Sequence, residues 1–299
     1  MISIGRATRQ LWALLVFCTA ALPVFSQDLK AQFIQIDLGR EFGFFSKSPV
    51  HLRAVAMASN QNPSSTALLF FPGWPGQLWL PENMQAERFI TNAPNSRFYA
   101  TRHIDWMPSK GITFVMVDCP TDQWGSSQRS ADPTGCSDSY RSSQQHADDI
   151  AHLIAHLKAT QGIKRIFIMG HSYGSISSRW LAMRLGDQIQ GSIHSASMSY
   201  AAGMRFADYG SSISRMDMAQ AKAPWIFVHN LNDQCKATPY VPIQTVAGTQ
   251  LITVRGGTPQ GDPCGAGHFH SYQGRELAVL DAVARWITSD EITLFAGDP

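Results

Sequence analysis

From Thr66 onward, short apolar runs alternate with stretches whose apolar residues recur at helical spacing. Residues 67–71 form an apolar run that stops at Pro72-Gly73, and residues 112–117 form another that stops at Asp118. Residues 145–158 carry Ile150, Leu153, Ile154 and Leu157 at the spacing of one helix face. A strand is predicted over 165–169 and a helix over 175–185. Residues 189–193 and 225–229 read as further strands, 251–254 as the last one. Residues 276–287 form a closing helix, with Leu277, Leu280, Val283, Ala284 and Ile287 on its apolar side. Upstream, 32–38 and 51–58 look like antiparallel strands at one edge. The alternation predicts the α/β class, with a mostly parallel sheet covered by helices on both faces. Such sheets bind ligands beyond the carboxyl ends of their strands. No repeat, low-complexity tract or linker interrupts the pattern, so residues 27–299 read as one domain. The Gly/Ser/Met-rich stretch 201–223 has room for a small flap and too little for a large cap domain.

The N-terminus follows a different pattern. Arg6 and Arg9 precede an apolar run at 11–22, which ends at Pro23, and the small residues Val24 and Ser26 precede Gln27. This predicts a cleaved signal peptide over 1–26, because the run is short for a membrane span. An uncleaved N-terminal anchor is the alternative. A lipoprotein fits poorly, since Cys18 follows the bulky Phe17. The expected location is therefore secreted or periplasmic, with no stable membrane span after cleavage. Hydrophobic residues make up 44% of the chain, enough for a large core, and the net charge is +2 with no basic run. Nucleic acid and anionic membrane are poor partners for such a surface.

Export changes the meaning of the cysteines. Beyond Cys18 there are Cys119, Cys136, Cys235 and Cys264, an even number that reads as two disulfides with three possible pairings. The favoured pairing is Cys119–Cys136, closing a local loop, with Cys235–Cys264. Free buried thiols are the alternative. No CxxC or HExxH spacing is present, so no metal is expected.

Chemistry enters at Arg165-Ile-Phe-Ile-Met-Gly-His-Ser-Tyr-Gly-Ser175. Here a Gly-x-Ser-x-Gly sequence follows a predicted strand and opens a predicted helix. Gly170 and Gly174 flank Ser172 because a sharp strand-to-helix turn has no room for side chains there, and the turn lifts the serine hydroxyl above the sheet. The helix start also favours developing negative charge. His171 reads as a packing residue. A Gly-rich turn with a structural serine is the alternative.

The elbow, and the order serine, acid, histidine, resemble the α/β-hydrolase superfamily over most of the mature chain. Cys235-Lys-Ala-Thr-Pro-Tyr240 and the stretch 264–276 resemble, more narrowly, a group of exported bacterial serine hydrolases. In that superfamily the acid lies in a loop after a later strand. Asp233, at the end of Trp-Ile-Phe-Val-His-Asn-Leu-Asn-Asp, fits that place and would accept the histidine N–H. Asp208 and Asp217 compete without following a clear strand, and Asp262 lies too near the histidines. The base is expected between the last strand and the closing helix, where His268 and His270 both stand. Gly267-His268-Phe269 looks like the ending of many esterases. His270-Ser-Tyr-Gln-Gly-Arg-Glu276 resembles the ending of the exported group, and on that resemblance His270 is the expected base. The other histidine is expected to be a partly exposed loop residue.

A Cys235–Cys264 bond would tie the acid loop to the histidine loop. Phe71-Pro-Gly-Trp-Pro-Gly76 stands where this fold places its oxyanion loop, with backbone N–H groups of Trp74 and Tyr173 as the implied donors. An ordinary Pro/Gly turn is the alternative. Trp74, Trp79, Trp124 and Tyr173 are candidates to line an apolar pocket. Arg141, His146 and Asp149 read as a structural polar cluster. The implied activity is hydrolysis of a small-molecule carboxylic ester through Ser172, His270 and Asp233, without a cofactor. A peptidase or thioesterase on the same residues, and a silent binding protein on the same fold, are the alternatives.

Overall fold

The computed structural model describes residues 29–93, 96–124, 136–200, 213 and 216–299. Within them run β1 (Leu29–Phe42), β2 (Ser48–Ser59), β3 (Thr66–Phe71), β4 (Thr113–Val117) and β5 (Arg165–His171). The remaining strands are β6 (Gly191–Ser195), β7 (Trp225–Asn230), β8 (Leu251–Arg255) and β9 (Phe295–Gly297). They form one sheet in the order β1-β2-β4-β3-β5-β6-β7-β8-β9. β1 and β2 pair antiparallel, β2 joins β4 antiparallel, and every later pairing is parallel. The short helices are α1 (Ala86–Asn92), α2 (Tyr99–Arg102), α3 (Trp106–Ser109) and α4 (Asp138–Arg141). The longer ones are α5 (Gln144–Gln161), α6 (Gly174–Arg184), α7 (Tyr240–Ala247) and α8 (Glu276–Ser289).

The central strands are legible because they are covered on both faces. Every residue of β4 and β6 is buried, which removes the alternation a half-exposed strand would show. One face packs against α5 and α6 through Leu69, Ile168, Ile154 and Leu181. The other packs against α1–α3 and α8 through Phe70, Met169, Val283 and Ile287. Each such fully buried side chain contributes on the order of 1.5–3 kcal/mol of transfer free energy. α5 begins where Ser143 Oγ accepts the His146 N–H at 3.1 Å and ends at Gly162, which takes a left-handed conformation (φ 66°).

The expected elements are present, with one correction at the end. β8 is not the last strand, because β9 follows α8 and pairs with β8 through Thr253, Val254 and Arg255. Three residues joined by backbone alone carry no side-chain periodicity. β6 also begins two residues later than expected, at Gly191, where an added Cβ would lie 2.6 Å from the Trp286 ring. The predicted leader 1–26 and Asp208 lie outside the described residues, as does most of 201–223. Among the described residues, no helix is long and apolar enough to cross a membrane.

Candidate active site

β5 delivers Ser172 into a strained turn. Its φ is 53°, in the left-handed region, and its N–H is held by Ser195 O at 2.9 Å. The flanking glycines are required by contact. An added Cβ at Gly170 would lie 2.1 Å from Gly174 O, and one at Gly174 would lie 2.1 Å from Phe71 O. α6 starts immediately after the turn, so its first N–H groups point toward the serine side. Ser172 is half-buried and lines a cavity of about 240 Å³.

The same cavity is lined by His270, Cys235, Cys264, Gly73 and Trp74, with Met198, Ala237, Phe98, Arg97 and Asp262 among its remaining walls. His270 lies in a 3₁₀ turn, Phe269–Ser271, and its Nδ1–H donates to Asp233 Oδ2 at 3.1 Å. Both side chains are buried, His270 at 3% and Asp233 at 0% exposure. Burial pushes the Asp233 carboxyl up, but the charge and hydrogen bonds of His270 and His229 outweigh it. They hold the carboxyl well below the usual carboxylate range. Asp233 Oδ1 accepts the Cys235 N–H at 2.9 Å. Cys235 pairs with Cys264 (Cα–Cα 4.6 Å), so the acid loop and the histidine loop are joined beside the cavity. Cys119 pairs with Cys136, Cα–Cα 6.0 Å.

The structure brings Ser172, His270 and Asp233 to one place and puts the competing residues elsewhere. Asp217 caps a 3₁₀ turn by accepting the Ala219 N–H at 3.0 Å. Asp262 reaches the cavity, but it accepts the Cys264 N–H at 2.9 Å within its own loop. His268 departs from expectation. It is buried, at 7% exposure, because its carbonyl accepts the N–H groups of Ser271 and Gln273 and its ring packs on Phe269.

His171 lies beneath the site, its ring 5.1 Å from that of His270, with Nδ1 3.1 Å from Ser195 Oγ. Burial, then the neighbouring positive charge of His270, lowers its basicity well below that of an ordinary histidine, which suits packing rather than proton transfer. Ser195 Oγ also meets Tyr99 OH at 3.1 Å and Tyr272 OH at 2.9 Å. Tyr272 OH donates to Val228 O at 2.7 Å and accepts the Ala196 N–H at 3.0 Å. A tyrosine of the histidine loop is thereby fastened to the ends of β6 and β7.

The backbone at Gly73 and Trp74 passes close to the serine, and a Cβ at Gly73 would lie 3.2 Å from Ser172 Cβ. Gly76 N–H closes the turn on Gly73 O at 2.7 Å. Trp74 packs on the buried Tyr173 ring at 5.9 Å, and Arg141 lies over that ring at 4.8 Å. Trp79 and Trp124 do not line the cavity. They cluster with Cys119, Cys136 and Tyr140, where a large apolar surface surrounds the other disulfide. Arg141 donates to Ser177 Oγ at 2.8 Å and Cys136 O at 2.9 Å. Asp149 accepts from Arg40 at 2.6 Å and Tyr140 OH at 2.8 Å. His146 is buried between Phe71 and Tyr140. Sequence reasoning passed over Thr238, His229 and Tyr272. The first two stand within a few residues of Asp233, but nothing in their spacing announces a contact with the Asp233–His270 pair.

Comparison with known proteins adds to this geometry. A family model described as serine aminopeptidase, S33, matches residues 95–236. No curated protein matches by sequence. Among solved structures, Est1E from Butyrivibrio proteoclasticus is similar at 14% identity and TM-score 0.50, covering 80% of this chain and 93% of that one. The same protein with ferulic acid bound gives a TM-score of 0.51 at 14% identity, covering 80% and 94%. The Pyrococcus furiosus esterase Pf2001 is similar at 12% identity and TM-score 0.50, covering 87% and 92%. At such identities the likeness is one of fold.

Proposed function

We propose that this chain is a serine hydrolase of the α/β-hydrolase superfamily and that it cleaves a small carboxylic ester with Ser172 as nucleophile, His270 as base and Asp233 as acid, a reading supported by its fold and by the serine aminopeptidase family model over residues 95–236. The reading is carried by the Asp233–His270 hydrogen bond at 3.1 Å, with His270 and Ser172 lining a single cavity in front of the buried acid. Ser172 Oγ attacks the ester carbonyl carbon while His270 Nε2 takes its proton. The carbonyl oxygen becomes an oxyanion facing the backbone N–H groups of Trp74 and Tyr173. When the tetrahedral adduct collapses, the C–O bond to the alcohol breaks and His270 returns the proton to the leaving oxygen. Water then repeats the sequence on the acyl-enzyme, giving the carboxylic acid and free Ser172. Asp233 stays ionised throughout and stabilises the imidazolium. The signal peptide 1–26 belongs to the same reading, and export to an oxidising compartment agrees with the two cysteine pairs.

A fluorophosphonate probe tests the nucleophile. It should label the folded chain and fail on Ser172→Ala; equal labelling of both would sink the assignment. His270→Ala should abolish turnover of p-nitrophenyl acetate while His268→Ala retains it. The description of the matching family model favours a second reading, in which the bond cleaved is an aminoacyl amide. Aminoacyl p-nitroanilides assayed beside short p-nitrophenyl esters and thioesters distinguish the two, since the preferred bond shows the higher kcat/KM.

A further inference from the structure

Asp233 Oδ2 is the meeting point of three side chains, and His270 is only one of them. Thr238 Oγ1 donates to it at 2.9 Å, and His229 Nε2 lies 3.3 Å away. Thr238 Oγ1 is also 3.0 Å from His270 Nδ1, so its hydroxyl occupies the fork between carboxylate and imidazole. Thr238 and His229 are both wholly buried.

The acceptors decide where the protons sit. His229 Nε2 faces the Thr238 carbonyl at 2.8 Å and Asp233 Oδ2, both acceptors, so it carries its hydrogen on that nitrogen. Its Nδ1 is buried without a hydrogen-bond partner among the described residues, so the ring's polar contacts are all made through Nε2. The single Thr238 hydroxyl proton points at Asp233, and its lone pairs face His270 Nδ1–H. With Cys235 N–H on Oδ1, the carboxylate has donors on both oxygens and cannot rotate freely. Thr238 is itself fixed. Its N–H bonds Cys235 O at 2.9 Å, and the following Pro239 caps α7.

We infer that Thr238, backed by His229, is a positioning residue of this site: it aims Asp233 Oδ2 at His270 and shares the carboxylate's charge with a fixed hydroxyl. The inference rests on the triad proposed above. Without the hydroxyl, Asp233 is less neutralised and draws the imidazolium more strongly, so the acid limb of the kcat/KM profile moves to higher pH. The carboxylate also gains freedom, so turnover falls. Other charged or titratable groups around His270 are His171 beneath it and Asp262 and Arg97 in the cavity lining. Behind Asp233 stand His229 and, ring to ring with it at 6.1 Å, Tyr240. None of these is altered by a change at Thr238.

The test uses the full mature chain and p-nitrophenyl acetate, with kcat and KM measured separately across acid and neutral pH. General-base catalysis contributes about 10²- to 10⁴-fold, so a mis-aimed acid should cost Thr238→Val on the order of tenfold in kcat. KM should change little, and the acid limb should move to higher pH by a fraction of a unit. Thr238→Ser should restore both. His229→Leu, whose substitution lies outside the acid loop, should move the limb in the same direction if Thr238→Val does not fold. An acid limb that stays in place in Thr238→Val, whether or not activity falls, overturns the inference, as does failure of the serine to rescue. Fluorophosphonate labelling runs in parallel. If the unsubstituted chain is not labelled at Ser172, the triad reading itself fails; if it is labelled and the limb stays still, only the role of Thr238 fails.

Discussion

The two cysteine pairs allow stability and preorganisation to be separated. Cys235–Cys264 closes a loop of 29 residues and Cys119–Cys136 one of 17. In the chain-entropy model these loops stabilise the folded state by about 4 and about 3 kcal/mol respectively. Removing either pair by double alanine substitution should therefore lower the melting temperature by a similar amount, roughly 10 °C for a domain of this size. Their effects on activity should differ. Cys235 and Cys264 both line the cavity, and the Cys235 N–H holds Asp233 Oδ1 at 2.9 Å. Cys119 and Cys136 sit in a separate cluster with Trp124 and Tyr140. Displacement of a catalytic group by about 1 Å costs on the order of a hundredfold, and a loosened acid loop should lose part of that. Cys235→Ala/Cys264→Ala is expected to drop kcat on p-nitrophenyl acetate at least tenfold at a temperature where its circular dichroism remains native. Cys119→Ala/Cys136→Ala, destabilised nearly as much, should keep most of its activity under the same conditions. Full activity in the first variant, or equal loss in both, would refute the idea that this bond positions the acid.

Three shorter predictions test other parts of the site. Gly174→Ala places a methyl 2.1 Å from Phe71 O, a backbone atom that cannot swing aside, so it should destabilise the fold by about 1–3 kcal/mol or more and abolish labelling of Ser172. A chemical-denaturation curve and a fluorophosphonate gel check it. His146, buried against Phe71 and Tyr140, has its pKa pushed by burial down to about 3 from the ordinary 6.5. Below pH 6.5 the unfolded chain takes up a proton that the folded chain refuses, so stability falls with falling pH until about pH 3. At pH 5 this amounts to about 2 kcal/mol. His146→Phe should narrow the stability gap between pH 7.5 and pH 5 by about that amount, and an unchanged gap would count against the assignment. Tyr272→Phe removes a hydroxyl shared by Val228 O, Ala196 N and Ser195 Oγ, and should cost about 1–3 kcal/mol in urea unfolding together with a fall in kcat.

Much of the fold was legible because its central strands are buried on both faces and its long helices are amphipathic. Runs such as Phe167-Ile-Met and the spacing Leu153, Ile154, Leu157 carry that information locally. The short helices α1–α3 span four to seven residues each, too few for a period to emerge. β9 is defined by hydrogen bonds to β8 and by no pattern of its own. At the site, Ser172 announces itself because the strained turn demands glycines at fixed offsets. Asp233 follows from its place after an apolar strand. The two histidines do not separate by spacing, since both lie in one loop. Their surroundings in the fold differ. The His268 carbonyl anchors the turn, whereas the His270 ring reaches Asp233 across 37 residues of chain. Thr238 and Tyr272 were illegible for the same reason, because their partners are distant in sequence and ordinary in type.

His270 stands on a loop, yet the loop is tied along its length. At its start Cys264 is bonded to Cys235, beside the acid. At its end Tyr272 OH is fastened to Val228 O on β7, and Glu276 accepts from Gly274 N–H at 2.8 Å and from Arg102 on α2 at 2.9 Å. The histidine lies between these anchors, in a turn whose N–H groups return to His268 and Phe269. A catalytic side chain on a free loop would sample many positions at the cost of effective concentration, and each anchor removes part of that freedom. The anchors reach different parts of the scaffold: the acid loop, the sheet ends under Ser172 and a helix on the α8 face. Loosening the Tyr272 or the Glu276 anchor, neither of which lines the cavity, should lower kcat more than it changes KM, because in the proposed triad those ties hold His270 toward Asp233 and Ser172 rather than holding substrate.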